Sequence, residues 1–353
     1  MRSSGAPFLE NFWYLAAPAA ALEPGRTLAR RLLGEPVLLG RTAEGAVFAL
    51  RDLCPHRAMP LRHGTFDGRE LACAYHGWRF RPDGGCAAIP SLAPNQDFDL
   101  SRIRVRGYPC CEHLGGLWVH MAEDRAGTAE PPPLPALPAL PAAASQVSLS
   151  ALFPCDLDHA AFGLMDPTHA AFVHTSWWWK KDARRLRLKE KAFEPVPLGW
   201  RMVRHQLPPE NRIYRLLGRE VTTEITYRLP GLRIEHIEGE RHAALALTAL
   251  TPLDGETTEV HQTLLCTLPW LGPFKPLIRR LARTFLDQDR AMVVKQREGL
   301  AQGVRGTPSL MLIDDADTQA KWFQRLKREW LAAKAEGREF RNPLKAQTLR
   351  WRS

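Results

Sequence analysis

Two short runs near the start of the chain, Cys54-Pro55-His56 and Cys73-Ala74-Tyr75-His76, offer two thiols and two imidazoles, with sixteen residues between the runs. Two thiolates on one iron and two imidazoles on the other make a donor set for a [2Fe–2S] cluster. Neutral imidazoles donate less charge than thiolates, so such a cluster accepts an electron more readily than an all-cysteine one. Pro55 and Gly77 suit the tight turns that present each pair from one loop. Tetrahedral zinc is the competing chemistry. Paired zinc ligands usually have at least two residues between them, whereas Cys54 and His56 have only Pro55 between them.

A second run, Asp166-Pro167-Thr168-His169-Ala170-Ala171-Phe172-Val173-His174, offers two more imidazoles and a carboxylate. On a helix turning ~100° per residue, His169 lies about 60° to one side of Asp166 and His174 about 80° to the other. All three then address one cavity. Two histidines and one carboxylate, leaving coordination positions open, suit a non-haem ferrous ion that activates dioxygen. The plainer reading makes Asp166 an N-cap and Pro167 the first helical residue, with two ordinary helix histidines behind them.

The elements that must hold these groups follow from patterning. The 353 residues suggest two domains, and 45% hydrophobic with 24% charged residues is an ordinary globular composition. Six prolines between Pro131 and Pro141 forbid helix and mark a connector at 131–144. Before it, over 1–130, short alternating runs such as Ala46–Leu50 and Leu117–His120 predict a small antiparallel β-domain. After it, over 145–353, the pattern predicts a helical stretch at 155–175, then strands at 200–207, 221–229, 232–238, 243–251 and 258–267. Helices follow at about 276–300 and 315–336, the latter with Trp322, Leu326, Trp330 and Leu331 at helical spacing. The class is α+β: an all-β first domain, then an antiparallel sheet packed by helices.

Phe12–Leu22 is apolar, but Glu10 precedes it and Pro18 interrupts it, so it reads as a strand beginning at Phe12 rather than a signal peptide. No run of eighteen apolar residues predicts a membrane span, and a cytoplasmic protein is expected. The net charge of +10 favours docking of an acidic partner or simply gives a well-solvated basic surface. No basic stripe interleaved with aromatics points to nucleic acid. Cys86, Cys110, Cys111, Cys155 and Cys266 lack ligand spacing and are expected to be apolar filler.

Cys54-Pro55-His56-Arg57 and Cys73-Ala74-Tyr75-His76-Gly77-Trp78 resemble the Rieske ferredoxin-like domain. Met59 and Tyr75 stand where respiratory Rieske proteins carry an extra disulfide, which points towards the oxygenases. Asp166-x-x-His169-x-x-x-x-His174, about ninety residues on, resembles the iron motif of the Rieske ring-hydroxylating oxygenases. The resemblance implies a [2Fe–2S] cluster on Cys54, His56, Cys73 and His76, and a mononuclear Fe(II) on His169, His174 and a later carboxylate. It also implies a helix-grip-like catalytic domain. In that family the first aspartate bridges rather than ligates, so Asp166 would join His169 to His76 of a neighbouring protomer. A head-to-tail homotrimer is implied with it.

The family takes its third ligand from a late helix, here Leu286-Asp287-Gln288-Asp289-Arg290. Ile278, Leu281, Phe285, Met292 and Gln296 form an inward stripe at helical spacing, and Asp289 falls within it. Asp287 lies about 200° from Phe285. Asp289 is therefore the expected ligand; a buried salt bridge to an arginine is the alternative use of that carboxylate.

The implied function is the oxygenase component of a multicomponent monooxygenase. It would draw electrons from a separate NAD(P)H-dependent reductase or ferredoxin, and hydroxylate or oxidatively demethylate a hydrophobic aromatic or polycyclic substrate. A cis-dihydroxylating dioxygenase and a Rieske electron carrier without catalysis are the alternatives. Trp177-Trp178-Trp179 follow the iron motif and would wall a substrate or pack a core. Ile225, Tyr227, Ile234, Ile237, Leu245 and Leu247 are consistent with an apolar cavity, with His236 and His242 available to orient a polar substituent.

Overall fold

The computed structural model describes residues 8–123, 130–138, 140, 144–176, 186–207, 214–302 and 310–353. Two compact units form: Ala6–Ala136 with Thr251–Asp254, and Leu137–Leu250 with Gly255–Ser353. Trp177-Trp178-Trp179 lie outside the described residues. Residues 130–138 form neither helix nor strand, as their prolines require.

The first unit is built of small antiparallel sheets. Phe12–Pro18 is apolar throughout and nearly all buried, and it pairs with Gly116–Met121, which pairs in turn with Cys110–His113. A second sheet orders Arg26–Leu32, Glu35–Arg41, Val47–Arg51 and Gly107–Tyr108. Leu33 and Gly34, both at positive φ, make the tight hairpin turn between the first two of these strands. A third sheet runs through Thr65–Phe66, Leu71–Ala72, Arg79–Phe80 and Cys86–Ala88. One Cys-His run follows Val47–Arg51, and the other joins Leu71–Ala72 to Arg79–Phe80. Leu38, Leu50, Leu61, Leu71 and Phe80 form the apolar core beneath both.

The second unit centres on an eight-stranded sheet. Its strands are β1 (Ser145–Phe153), β2 (Leu188–Val196), β3 (Gly199–Gln206), β4 (Thr222–Arg228), β5 (Leu232–Glu238), β6 (Ala243–Pro252), β7 (Thr258–Cys266) and β8 (Gln347–Arg352). The order is β1-β7-β6-β5-β4-β3-β2-β8. Five of these strands match the predicted ones to within two residues; β1, β2 and β8 escaped prediction. β2 and β8 are rich in charged residues, which masks their alternation, whereas β1 carries Val147, Leu149, Ala151 and Phe153 at alternate positions, a strand signal that sequence reasoning passed over.

The predicted helix at 155–175 is two helices, α1 (Leu157–Met165) and α2 (Ala170–Val173). Pro167 disfavours helical geometry at the residue before it, and Asp166 takes φ −69°, ψ 117°. Asp166 therefore ends α1 rather than opening a helix. Two longer helices complete the unit, α3 (Lys275–Ala301) and α4 (Thr318–Ala335). Ile278 of α3 packs on the cluster of Ile237, Ala244 and Cys266, while Trp322 of α4 meets Trp200 edge-on with ring centroids 5.7 Å apart. These contacts define one helix-facing side of the sheet.

Two glycine substitutions should move stability in opposite directions. A Cβ on Gly199 would lie 1.8 Å from the Tyr227 carbonyl oxygen on the adjoining strand, whereas on Gly163 of α1 it would meet nothing within 4 Å. Gly199→Ala is expected to cost about 2 kcal/mol or more. Gly163→Ala should contribute about 0.5–1 kcal/mol by lowering the entropy of the unfolded chain. Urea unfolding of both variants checks the signs.

Candidate metal centres

The two cysteine–histidine loops share one backbone design. Cys54 N donates to Met59 O at 2.8 Å and Ala58 N to Cys54 O at 2.9 Å; Cys73 N donates to Trp78 O at 2.8 Å and Gly77 N to Cys73 O at 3.0 Å. The fourth residue after each cysteine is left-handed, Ala58 at φ 55° and Gly77 at φ 69°. Asp52, fully buried, braces the first loop: it accepts from Arg62 N at 2.8 Å and pairs with the Arg62 guanidinium at 2.6 Å.

This design sorts the four side chains by depth. Cys54 and Cys73 are buried and unbridged, whereas His56 is exposed and His76 half-buried. The two imidazole centroids stand 4.7 Å apart, and Trp78 stacks on His56 at 4.5 Å with planes 4° apart. Burial, together with the neighbouring Cys73 thiol, pushes the Cys54 thiol up to about 11. A positively charged group is needed to hold these thiols as thiolates. Two soft thiolates facing two imidazoles fit a cluster of the Cys₂His₂ kind.

The second centre forms around α3. His169 Nε2 and His174 Nε2 each lie 3.5 Å from Asp289 Oδ1, and ligand atoms of the three residues fall within 4.8 Å of one another. Burial lifts the Asp289 carboxyl to about 7, so its ionised form there lacks compensation from water. A divalent cation restores that compensation, and two imidazoles with one carboxylate suit ferrous iron. The helical phase separates the two aspartates as expected: Asp287 is exposed and pairs with Arg283, with Nε and Oδ1 3.3 Å apart.

Both imidazoles are held through Nδ1. His169 Nδ1 lies 3.0 Å from the Asp166 carbonyl oxygen and 3.7 Å from its carboxylate. Asp166 Oδ1 accepts from Thr168 N and Oγ1, each at 2.7 Å, and from His169 N at 3.3 Å. The break at Pro167, rather than one continuous helix, thus brings His169 to Asp289. His174 is 2% exposed; its Nδ1 lies 3.1 Å from Gln288 Oε1, and Gln288 Nε2 donates to Ser176 Oγ at 3.0 Å. Phe285 stacks on its ring, with centroids 3.4 Å apart. Phe285, Gln288 and Asp289, at i, i+3 and i+4 on α3, therefore meet one imidazole on its face, its Nδ1 side and its Nε2 side.

Gln288 and Ser176 were missed by sequence reasoning; a polar residue beside Asp289 on the inward stripe was the available signal. The expected apolar cavity also needs correction. Strand alternation puts Ile225, Tyr227 and Ile237 on the helix-facing side, and Ile234, Leu245 and Leu247 on the other. His236 shares the second side and lies 3.1 Å from Arg204 Nη2, while His242 sits in the turn before β6.

Two family descriptions match the chain in order: the Rieske [2Fe-2S] domain over residues 12–109, and the vanillate O-demethylase oxygenase C-terminal domain over residues 163–333. Chlorophyllide a oxygenase of Arabidopsis thaliana is 30% identical over 174 residues, 49% of this chain and 31% of the relative. The 4beta-methylsterol monooxygenase of Methylococcus capsulatus is 34% identical over 123 residues, 35% of this chain and 33% of the relative. The chain thus spans about a third of the length of these curated relatives. The crystal structure of dicamba monooxygenase bound to dicamba superposes with a TM-score of 0.74 at 24% identity, covering 94% of this chain and all of that one, and shares the fold.

The Gln288 contact yields a direct test. Removing the acceptor from His174 Nδ1 frees the ring to take the other tautomer, and loss of such a supporting contact typically weakens metal binding about 10–100-fold. Gln288→Leu should show that loss in chelator competition for ferrous iron, with the cluster's visible absorbance unchanged.

Proposed function

The chain belongs to the Rieske non-haem iron oxygenases, and on that premise we propose that it is the oxygenase component of a multicomponent monooxygenase. The observation that supports this most is the meeting of His169, His174 and Asp289 in a chain that also carries the paired Cys-His loops. In this reading residues 1–130 hold the cluster, 131–144 connect, and 145–353 hold the catalytic iron. Cys54, His56, Cys73 and His76 bind the [2Fe–2S] cluster; His169, His174 and Asp289 bind Fe(II). When bound, the cluster supplies one-electron transfer and the ferrous ion supplies activation of dioxygen for insertion into a substrate.

The protein's own contribution is positioning. Nδ1–H of His169, donated to the Asp166 carbonyl, and Nδ1–H of His174, donated to Gln288, leave both Nε2 atoms turned to Asp289. Burial of His174 under Phe285 keeps water from one flank of the triad. Asp166 is the proposed link to His76 of a second copy. Among the described residues its hydrogen bonds use Oδ1, its side chain is 31% exposed, and Oδ2, 3.7 Å from His169 Nδ1, is the oxygen proposed to meet the partner. A head-to-tail homotrimer and a cytoplasmic setting complete the reading. No described helix is long and apolar enough to cross a membrane. A separate reductase or ferredoxin is the electron source, and the substrate is a hydrophobic aromatic or polycyclic compound.

The decisive experiment combines iron analysis with oxygen-isotope labelling. Three irons per chain and one labelled atom per turnover are expected, in the hydroxylated product or in the formaldehyde released by demethylation; two irons indicate an electron carrier, and two labelled atoms in one product a dioxygenase. Asp289→Ala should deplete the mononuclear iron and spare the cluster's absorbance. Asp166→Asn should retain both metals yet lose coupled turnover by a factor of about a hundred or more, and wild-type turnover there would remove the bridging role.

A further inference from the structure

Cross-strand register puts Trp200, Tyr227, Arg233 and Thr248 in one row across β3, β4, β5 and β6, with Glu235 and Ala246 in the next row but one along the strands. Their side is the helix-facing one, because Ile237 and Ala244 on it pack with Ile278 of α3 and Trp200 with Trp322 of α4. Asp289 follows Ile278 by eleven residues, about three turns, and so faces the same way within ~20°. The metal triad and this row of side chains thus look onto the same side of the sheet.

That side remains partly open. The side chains of Arg233 and Glu235 are 22% and 14% exposed, and Ala246, Gln262 and Leu264 are half-buried, whereas Leu245 and Leu247 behind them are fully buried. Solvent reaches the inward surface of the central strands. Burial raises the Tyr227 phenol, the Arg233 guanidinium beside it opposes that rise, and the charges of Glu235 and Asp166 add to it.

A charge pair is an expensive thing to place on such a surface. Arg233 Nη2 lies 2.8 Å from Glu235 Oε2, and Arg233 Nε donates to Tyr227 OH at 3.3 Å. A guanidinium has five N–H donors and a carboxylate two acceptor oxygens, so donors and acceptors remain for a ligand. The pair itself is net neutral. A ligand carboxylate would add an uncompensated negative charge there, and an ammonium a positive one, each at a desolvation cost that a neutral polar group avoids.

We propose that Arg233 and Glu235 form the polar anchor of the substrate chamber, and that the substrate is a ring compound presenting a neutral hydroxyl or carbonyl to them rather than a carboxylate. This rests on the oxygenase reading above and narrows its substrate class. Arg233 donates to the substituent oxygen, Glu235 accepts from a hydroxyl where one is present, and Tyr227 fixes the guanidinium plane.

The test is calorimetric binding to the iron-loaded, resting protein at neutral pH, without turnover. Two matched probe pairs are used: 2-methoxyphenol with 4-hydroxy-3-methoxybenzoate, and 2-naphthol with 2-naphthoate. The neutral member of each pair should bind about tenfold or more tightly, a difference of ~1.4 kcal/mol. Glu235→Gln leaves Arg233 uncompensated and should reverse the preference towards the carboxylates. Arg233→Gln should push it further towards the neutral probes, a shift that a merely structural role would not produce in opposite directions. Equal affinity, preference for the carboxylates, or binding of neither member by the wild type overturns the proposal. So does an unchanged preference in both variants. Iron and cluster content of the same samples judges the oxygenase reading separately, since a wild type lacking both metals would remove that reading whatever the probes do.

Discussion

A single carboxylate on the inward face of a long helix sets the conditions for the second unit. Asp289 stands where its neighbours on α3 are apolar, and burial makes its ionisation costly, yet two imidazole nitrogens lie 3.5 Å away. Such an arrangement is stable when a cation sits among the three and costly otherwise. The surrounding structure serves to keep that carboxylate in register. Arg283 and Arg290 of α3 donate to the carbonyl oxygens of Ser150 and Leu152, each at 2.8 Å, pinning the helix along the edge strand β1. Those bonds also occupy carbonyls that an unpaired sheet edge would otherwise present.

The two histidines reach the carboxylate by different routes. His169 arrives through a break in the chain that Pro167 enforces, and its ring is steadied by a main-chain carbonyl of the same turn. His174 arrives in extended backbone just after α2 and meets Phe285, Gln288 and Asp289 of α3. One imidazole thus makes a contact set by local backbone geometry and the other contacts set by helix docking, while both meet Asp289 of α3.

The cluster loops solve a related problem on a smaller scale. Repeating one hydrogen-bond pattern twice gives two short loops that each bury a cysteine and leave a histidine nearer the surface. Gly77 adopts the left-handed conformation at little cost, while Ala58 does so with a Cβ, held by the bond from its N–H to Cys54 and by the Asp52–Arg62 brace. The thiols thus lie deep and the imidazoles nearer the surface.

The sequence by itself determined which atoms are available. Cysteine and histidine at those spacings, and Asp289 on an apolar stripe while Asp287 is not, follow from side-chain chemistry and helical period, both of which are local. The five alternating strands, with their two-residue period, were legible for the same reason. Only the tertiary structure decided the rest, because it depends on contacts between residues far apart in the chain. Gln288 meets His174 across 114 positions, and its place beside Asp289 could mark it as inward but not name its partner. The division of 155–175 has a local cause in Pro167, but that the break carries His169 to Asp289 was decided by the docking of α3. The serine-rich β1 alternates Val147, Leu149, Ala151 and Phe153 with polar residues, but its partner, β7 along nine residues, was decided by the tertiary structure. Arg233 and Glu235 drew no notice in the sequence; the packing of α3 and α4 shows that their side of the sheet is the helix-facing one.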